Sequence, residues 1–380
     1  MIHQNRELHT SCYHESMTKR VDKPFLISVV LLIVAGFIIF ISASLGILAR
    51  EGASFGRIAL KQLVFGIGLG TIFLITTTKI PYKFWRRNAL YIFLLSLILT
   101  ALVFIPGIGF EHGGAQRWIS VGPYSFQPAE FLKIGALIYF AAWVSSMKNK
   151  IKDSKFGLMP LLVILGLTAG ILLAQPDTDT FIVLFISLVG IFIAGGGKWR
   201  DVLILGLICL IGVATLAFTR PYLMKRFTTF LNPAADAQGA GYQIQQSLIA
   251  IGTGGLTGRG FGQSIQKFHF LPEPIGDSIF AVAGEEFGFV GSSALIILFS
   301  FFALRGMKIA SHISDPFGRL LVIGIVILII SQAFINIGAM LGVLPLTGIP
   351  LTFVSHGGTA LMVAMGEVGI VLHLSKLQSR

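Results

Sequence analysis

The chain has 380 residues, 54% of them hydrophobic and only 12% charged, with a mean hydropathy of +0.83; a soluble domain carries about a quarter charged residues, so a soluble fold is excluded. The formal net charge of +12 comes from Lys and Arg scattered among loops, with no basic, aromatic-interleaved stripe. That pattern argues against nucleic acid as a partner and points to membrane orientation instead.

Residues 1–23 are polar and of mixed charge, and form an N-terminal segment ahead of the membrane. The apolar run from Pro24 to about Leu48 is too long for a signal-peptide core and reads as an uncleaved first span. With about 20 apolar residues per crossing, further spans are predicted at 60–78, 88–106, 130–147, 157–174, 178–196, 200–218, 280–304, 317–341 and 352–375. Ten crossings make one all-α polytopic bundle over 24–376 with both termini on the same side.

With the N-terminus inside, the inner segments hold 19 of the 29 basic residues, and five of the other ten lie in one long loop. The short-loop bias therefore predicts cytoplasmic termini. Gln175-Pro176-Asp177 is all that separates the fifth and sixth spans, which form either a tight hairpin or a broken helix. On the opposite face, 107–129 and the loop 219–279 between spans seven and eight are too long to be turns, and long ordered loops usually carry function. The second contains Gly252, Gly254, Gly255, Gly258, Gly260 and Gly262, and its stretch YQIQQSLIAI is apolar enough to lie on or dip into the bilayer. Re-entrant backbone is allowed only against protein or water. Gly195, Gly196 and Gly197 read as a helix C-cap and turn.

The motif inventory begins with absences. There is no GxxxxGK[ST] loop, no HExxH and no CxxC pair, and the glycine cluster has Thr257 where GxGxxG needs its third glycine. Nucleotide, zinc and dinucleotide chemistry lose their usual support. Cys12, in the polar segment, and Cys209, in an apolar run, imply no disulfide framework.

Four constellations remain. QPAEFLKI opens the fourth span behind Gln127 and sets Glu130 and Lys133 three residues apart on one helix face; they are either a self-neutralising pair with a snorkelling lysine or groups lining a wet cavity. LPEPIGDSIFAVAGEEFGFVG places Asp277 at the start of a span, as an N-cap or a functional carboxylate. Two turns further in lie Glu285 and Glu286, of which Glu285, about 80° from Asp277 in azimuth, is expected to share its cavity. Uncompensated, each buried charge there costs roughly 2.5–3.5 kcal/mol. Asp177 and Asp179 follow Pro176 and either cap the sixth span or add negative charge to the outer cavity, with capping the expected role of Asp179. TFVSHGGTA puts Ser355 and His356 at the head of the tenth span without an acid partner for nucleophilic catalysis.

Together GGAQRWISVGPYSFQPAEFLKI, QPDTDT, NPAADAQGAGYQIQQSLIAIGTGGLTGRGFGQSIQKF, LPEPIGDSIFAVAGEEFGFVG and FVSHGGTA resemble, in order and spacing, the SEDS family of FtsW, RodA and SpoVE proteins. The resemblance implies a bacterial cytoplasmic-membrane glycosyltransferase that polymerises lipid II into peptidoglycan. It implies Asp277 as the catalytic aspartate, Glu130 and Lys133 as a paired site, and Arg117 and Asp177 as polar cavity positions. It also implies a divalent cation (Mg or Mn), no nucleotide or organic cofactor, a class B penicillin-binding protein partner, and divisome or elongasome proteins around it. GFGQSIQKF followed by FLPE looks closer to the division-type branch than to the elongation-type RodA branch. Ile275-Gly276, where the family has His-Thr, and His356, where it has Tyr, depart from the pattern. A lipid II flippase and a passive scaffold are the rival readings.

Overall fold

The structure is a computed structural model that describes residues 21–51, 59–60, 62–112, 115–121, 124–236 and 239–378. The polar N-terminal segment with Cys12 up to residue 20, together with Arg57 and Lys61, lies outside the described residues. In lipid a backbone must satisfy its own polar groups, so long apolar runs fold as helices. Every predicted span appears as one. They are α1 (Lys23–Glu51), a π-helical turn (Gln62–Gly68) continued by α2 (Leu69–Lys79), then, after the short α3 (Tyr82–Arg87), α4 (Ala89–Ala101). Next come α5 (Pro128–Met147), α6 (Leu158–Ala174), α7 (Thr178–Ala194) and α8 (Trp199–Thr219). After the long loop follow α12 (Ile279–Ser311), α13 (Pro316–Met340) and α14 (Gly358–Ser375). Seven of the described helices are long and apolar enough to cross a membrane, and three shorter apolar ones complete the set. The protein is therefore a polytopic membrane protein.

The segment between α6 and α7 is a hairpin turn, not a break within one helix, with the Asp177 N–H bonded back to the Leu172 carbonyl at 2.8 Å. The described chain ends meet at one face of the bundle. There the Asp22 N–H donates to Ser375 Oγ at 3.1 Å, and Arg305 Nη2 lies 2.7 Å from Asp22.

At the other face the helical bundle carries one small addition. The connection at 107–129 holds a small antiparallel sheet of β1 (Gly109–His112), β2 (Ala115–Val121) and β3 (Tyr124–Phe126), with Phe110 opposite Trp118 and Ile119 opposite Phe126. In the sequence, Gly113-Gly114 and Gly122-Pro123, which fall between the strands, are turn-type dipeptides.

The long loop is mostly helical too: α9 (Pro221–Leu231), α10 (Ala240–Thr253) and the single turn α11 (Gln266–His269). Helix α10 carries the apolar stretch expected to meet the bilayer. It buries Gly241, Ile244, Ser247 and Ala250, a helical stripe packed on α12, and leaves Leu248 and Ile249 exposed.

The glycine cluster has a structural task. Helix α12 is interrupted at Gly288, whose φ is +64°, a conformation only glycine adopts without strain. The freed carbonyls of Glu285 and Glu286 accept from the N–H groups of Arg259 and Gly260, both at 3.0 Å. The freed N–H groups of Phe289 and Val290 donate to the carbonyls of Gly255 and Leu256 at 2.8 and 3.0 Å. The loop lies so close that a Cβ on Gly258 would collide with the Glu286 carbonyl and one on Gly288 with the Gly258 nitrogen. An interrupted membrane helix is thus made whole by another segment.

Beside the break the two buried glutamates acquire partners. Fully buried Lys267 donates from Nζ to Glu286 Oε1 at 2.5 Å and to Ser42 Oγ of α1 at 3.0 Å, and Ser42 itself donates to Glu286. Glu285 accepts from Ser264 Oγ at 2.5 Å and from the Ile265 and Gln266 N–H groups at 3.0 and 3.2 Å, with Arg259 3.5 Å away. The knot joins α1, the long loop and α12. Removing one member of a buried pair strands the other charge, so Lys267→Met or Glu286→Gln is expected to cost about 3–5 kcal/mol. Lys267→Met combined with Glu286→Leu should recover most of it, as read by thermal unfolding in detergent.

Candidate functional site

At the face opposite the chain ends, a cavity of about 970 Å³ opens between the helix ends and the long loop. Its roof is the turn that carries Asp277, and that turn is pinned residue by residue. His356 N–H donates to the Ile275 carbonyl at 2.7 Å, and Ser355 Oγ donates to the Gly276 carbonyl at 2.8 Å. Asn336 Nδ2 of α13 donates to the Asp277 carbonyl at 2.8 Å, and Gln243 Nε2 of α10 donates to Ser278 Oγ at 2.9 Å. The backbone is held from three directions while the Asp277 side chain lines the cavity. The helix cap that follows is Ser278. Asp277 is not the cap.

One wall comes from the sheet and the α6–α7 turn. Arg117 of β2 donates from Nε to the Gln175 carbonyl at 3.2 Å and from Nη2 to the Pro176 carbonyl, and its Nη1 lies 3.7 Å from Asp177. Gln127 Nε2 donates to the other Asp177 oxygen at 3.1 Å. Asp177 lines the cavity as expected and is also the N-cap of α7, accepting from the Thr180 N–H at 3.4 Å, whereas Asp179, expected to cap, takes Arg226 of α9 at 2.9 Å on both oxygens. Asp177 can still line the cavity because only one of its oxygens is used by the cap.

The floor is built on α5. Pro128 starts the helix, where its missing N–H costs nothing, and Glu130 and Lys133 point inward as a buried pair at 3.0 Å. Lys133 Nζ also donates to Gln332 Oε1 of α13 at 2.8 Å. The snorkelling alternative fails because Lys133 is buried and lines the cavity. Two expected members stand elsewhere. Glu285 is consumed by Ser264 and the loop backbone, so azimuth on an ideal helix was a poor guide beside the break at Gly288. Ser355 is also buried, and its hydroxyl braces the Asp277 turn. Arg226, Glu273 and Gln332 line the cavity without having been singled out; Gln332 and Asn336, polar residues four apart in an otherwise apolar span, were the readable signal.

The electrostatics of the turn set the chemistry. Burial, with the carboxylates of Glu273 and Asp179 nearby, pushes the Asp277 carboxyl up to about 7, against the opposing pull of Arg226 and Arg117. Burial also raises Asp177, although Arg117 draws it the other way. A carboxylate poised near neutrality can take a proton from a hydroxyl during reaction. Among the described residues no group of three or more His, Cys, Asp or Glu converges to hold a metal ion, and Asp179 is already neutralised by Arg226. The described side chains by themselves do not fit a resident divalent cation.

Residues 23–380 match the family described as cell cycle proteins of the FtsW, RodA and SpoVE type. The chain belongs to this family. It is 37% identical over 363 residues to the stage V sporulation protein E of Bacillus subtilis (strain 168), covering 95% of this chain and 99% of that protein. It is 36% identical to a probable peptidoglycan glycosyltransferase FtsW of Geobacter sp. (strain M18), covering 93% of this chain and 96% of that one. Among solved structures, a chain of a peptidoglycan synthase complex that coordinates polymerization and crosslinking superposes with a TM-score of 0.79, at 25% identity over 93% of this chain and 97% of that chain. The rod shape determining protein RodA of Thermus thermophilus superposes with a TM-score of 0.70, at 24% identity over 95% of this chain and 98% of that chain. The chain therefore shares the fold of these two solved structures.

A carboxyl raised in the folded state binds its proton more tightly there than in the unfolded chain, so this group's contribution to stability falls as pH rises from about 4 to about 7. Asp277→Asn should consequently stabilise the protein by about 2–4 kcal/mol at pH 8 and by little at pH 4. Thermal unfolding across pH reads the difference.

Proposed function

We propose that this protein is a peptidoglycan glycosyltransferase that polymerises lipid II, with Asp277 as the general base. The carrying observation is the Asp277 carboxyl, poised near pH 7 on a rigidly held turn above a cavity lined by cations. In the reaction Asp277 removes the proton from the acceptor sugar hydroxyl as its oxygen bonds to the donor's anomeric carbon. The bond from that carbon to the polyprenyl pyrophosphate breaks, and the pyrophosphate leaves with the electron pair. Lys133 and Arg117 supply positive charge in the cavity wall, where a low-dielectric setting strengthens their effect.

The names of the relatives and the ordered motifs support this activity, and the likeness to SpoVE and FtsW proteins at 36–37% identity supports a division-type role over an elongation-type one. The clustering of Lys and Arg on the face of the chain ends supports cytoplasmic termini in the bacterial inner membrane and a cavity on the outer side. The matching chain in a complex that coordinates polymerization and crosslinking supports a class B penicillin-binding protein as partner, within a larger divisome or elongasome.

Purified protein given lipid II alone should produce glycan ladders, at a rate that rises with pH through about 7 as Asp277 ionises. Asp277→Asn should abolish the ladders while the protein still folds; undiminished polymerisation by that variant sinks the assignment. Movement of labelled lipid II across vesicles without elongation would instead support a flippase.

Glu130 and Lys133 call for a two-part measurement, because both are buried and either alone leaves a stranded charge. Lys133→Met should lower stability and activity together. Adding Glu130→Gln should restore the thermal midpoint but leave polymerisation at least tenfold down, since the cation is what the pyrophosphate needs.

A further inference from the structure

Three cations line the cavity among the described residues: Arg117, Lys133 and Arg226. Two are fixed in the cavity wall by several partners each. Arg117 holds two backbone carbonyls of the α6–α7 turn, and Lys133, with only 4% of its side chain exposed, holds Glu130 and Gln332 from below. Arg226 differs on three counts. Its side chain is 27% exposed, the most of the three. Its ion-pair partner is the single carboxylate of Asp179, met through one nitrogen, Nη1, at 2.9 Å from both oxygens, which leaves the rest of the guanidinium fork unused by that pair. And it sits on α9, a helix of the long loop, with its guanidinium 5.8 Å from the Tyr222 ring one turn earlier.

Asp179 is correspondingly prepared to lose it. Its Oδ2 also accepts from the Gly348 N–H at 3.1 Å, so the carboxylate keeps a hydrogen bond when the arginine leaves. Gly348 separates Asp179 from Asp277: a Cβ placed there would lie 3.8 Å from an oxygen of each. A pyrophosphate linkage carries more negative charge than one carboxylate and accepts both arms of a guanidinium, so it outcompetes Asp179 for Arg226 once it reaches the cavity.

Resting on the polymerase reading of this cavity, we propose that Arg226 is a pyrophosphate-binding residue held in reserve by Asp179, which surrenders it when the lipid-linked pyrophosphate enters. Asp179 is then a competitor of the substrate and not merely a structural partner. The distinction is testable because the two readings predict different signs. If the pair were structural, removing either side would impair the protein in the same direction. If it is a reserve, removing the arginine weakens pyrophosphate binding and removing the carboxylate strengthens it.

The experiment measures binding of undecaprenyl pyrophosphate to the purified full-length protein in detergent, beside KM and kcat for lipid II polymerisation. Arg226→Gln should weaken pyrophosphate binding and raise KM about tenfold, the loss of one charge-assisted hydrogen bond. Arg226→Lys should recover part of it, keeping the charge but not the fork. Asp179→Asn should tighten binding and lower KM several-fold, its amide oxygen still able to accept from Gly348. Thermal midpoints taken alongside show that each variant is folded. Loss of affinity in both Arg226→Gln and Asp179→Asn, or no change in either, overturns the proposal. Failure of the wild-type protein to polymerise lipid II would defeat the functional reading, while opposite shifts in pyrophosphate affinity would still uphold the reserve.

Discussion

The feature on which the rest of the structure depends is the interruption of α12 at Gly288 and the loop that repairs it. A helix within a membrane cannot leave N–H and C=O groups open, because no water is there to take them. Here four freed backbone groups are satisfied by residues 255–260, each bond between 2.8 and 3.0 Å. That reciprocal fit demands glycine at the contact, which is why the cluster is there and why it matches no nucleotide-binding pattern. It also means that the long loop is part of the bundle. Lys267 and Glu286 lock the same junction to Ser42 of α1, and the Asp277 turn lies between the two anchor points along the chain. The position of the Asp277 carboxyl over the cavity is fixed by this clamp.

The cavity charges follow from the clamp. Of the carboxylates lining it, Glu130 and Asp177 face cations of the wall at 3.0 and 3.7 Å. Asp277 has no cation at contact distance among the described residues. Its neighbours of like charge, Glu273 and Asp179, make ionisation harder still. Burial and like-charged neighbours thus convert an ordinary aspartate into a group that changes charge near neutrality. The difference lies in where the cations are, not in the residue type.

Much of this was legible from the chain. The ten spans follow from hydropathy because length and apolarity are sufficient conditions for a membrane helix, and Glu130, Lys133, Arg117, Gln127, Asp177 and Asp277 do converge on one cavity. What escaped was whatever depended on a third element. Glu285 faces Asp277 on an ideal helix, but the helix is not ideal three residues later. Asp177 and Asp179 are two residues apart, and only the position of α9, set by tertiary packing, decides which of them caps and which meets Arg226. The short strands β1 to β3 lie in a connection whose turn signals are weaker than the apolar runs on either side.

The roof of the cavity also shows why rigidity and strain occur together. A raised carboxyl pKa is an electrostatic cost that the fold carries at neutral pH, and a flexible turn would relieve it by swinging Asp277 into solvent or towards Arg226. Four hydrogen bonds to Ile275, Gly276, Asp277 and Ser278, donated from α10, α13 and the segment before α14, deny that relaxation. Three of the four donations go to backbone carbonyls, so they are indifferent to the side chains of Ile275 and Gly276. At the two positions that depart from the sequences the chain resembles, the turn that carries Asp277 is thus held through its main chain, while the Ile275 side chain packs into the core beneath it.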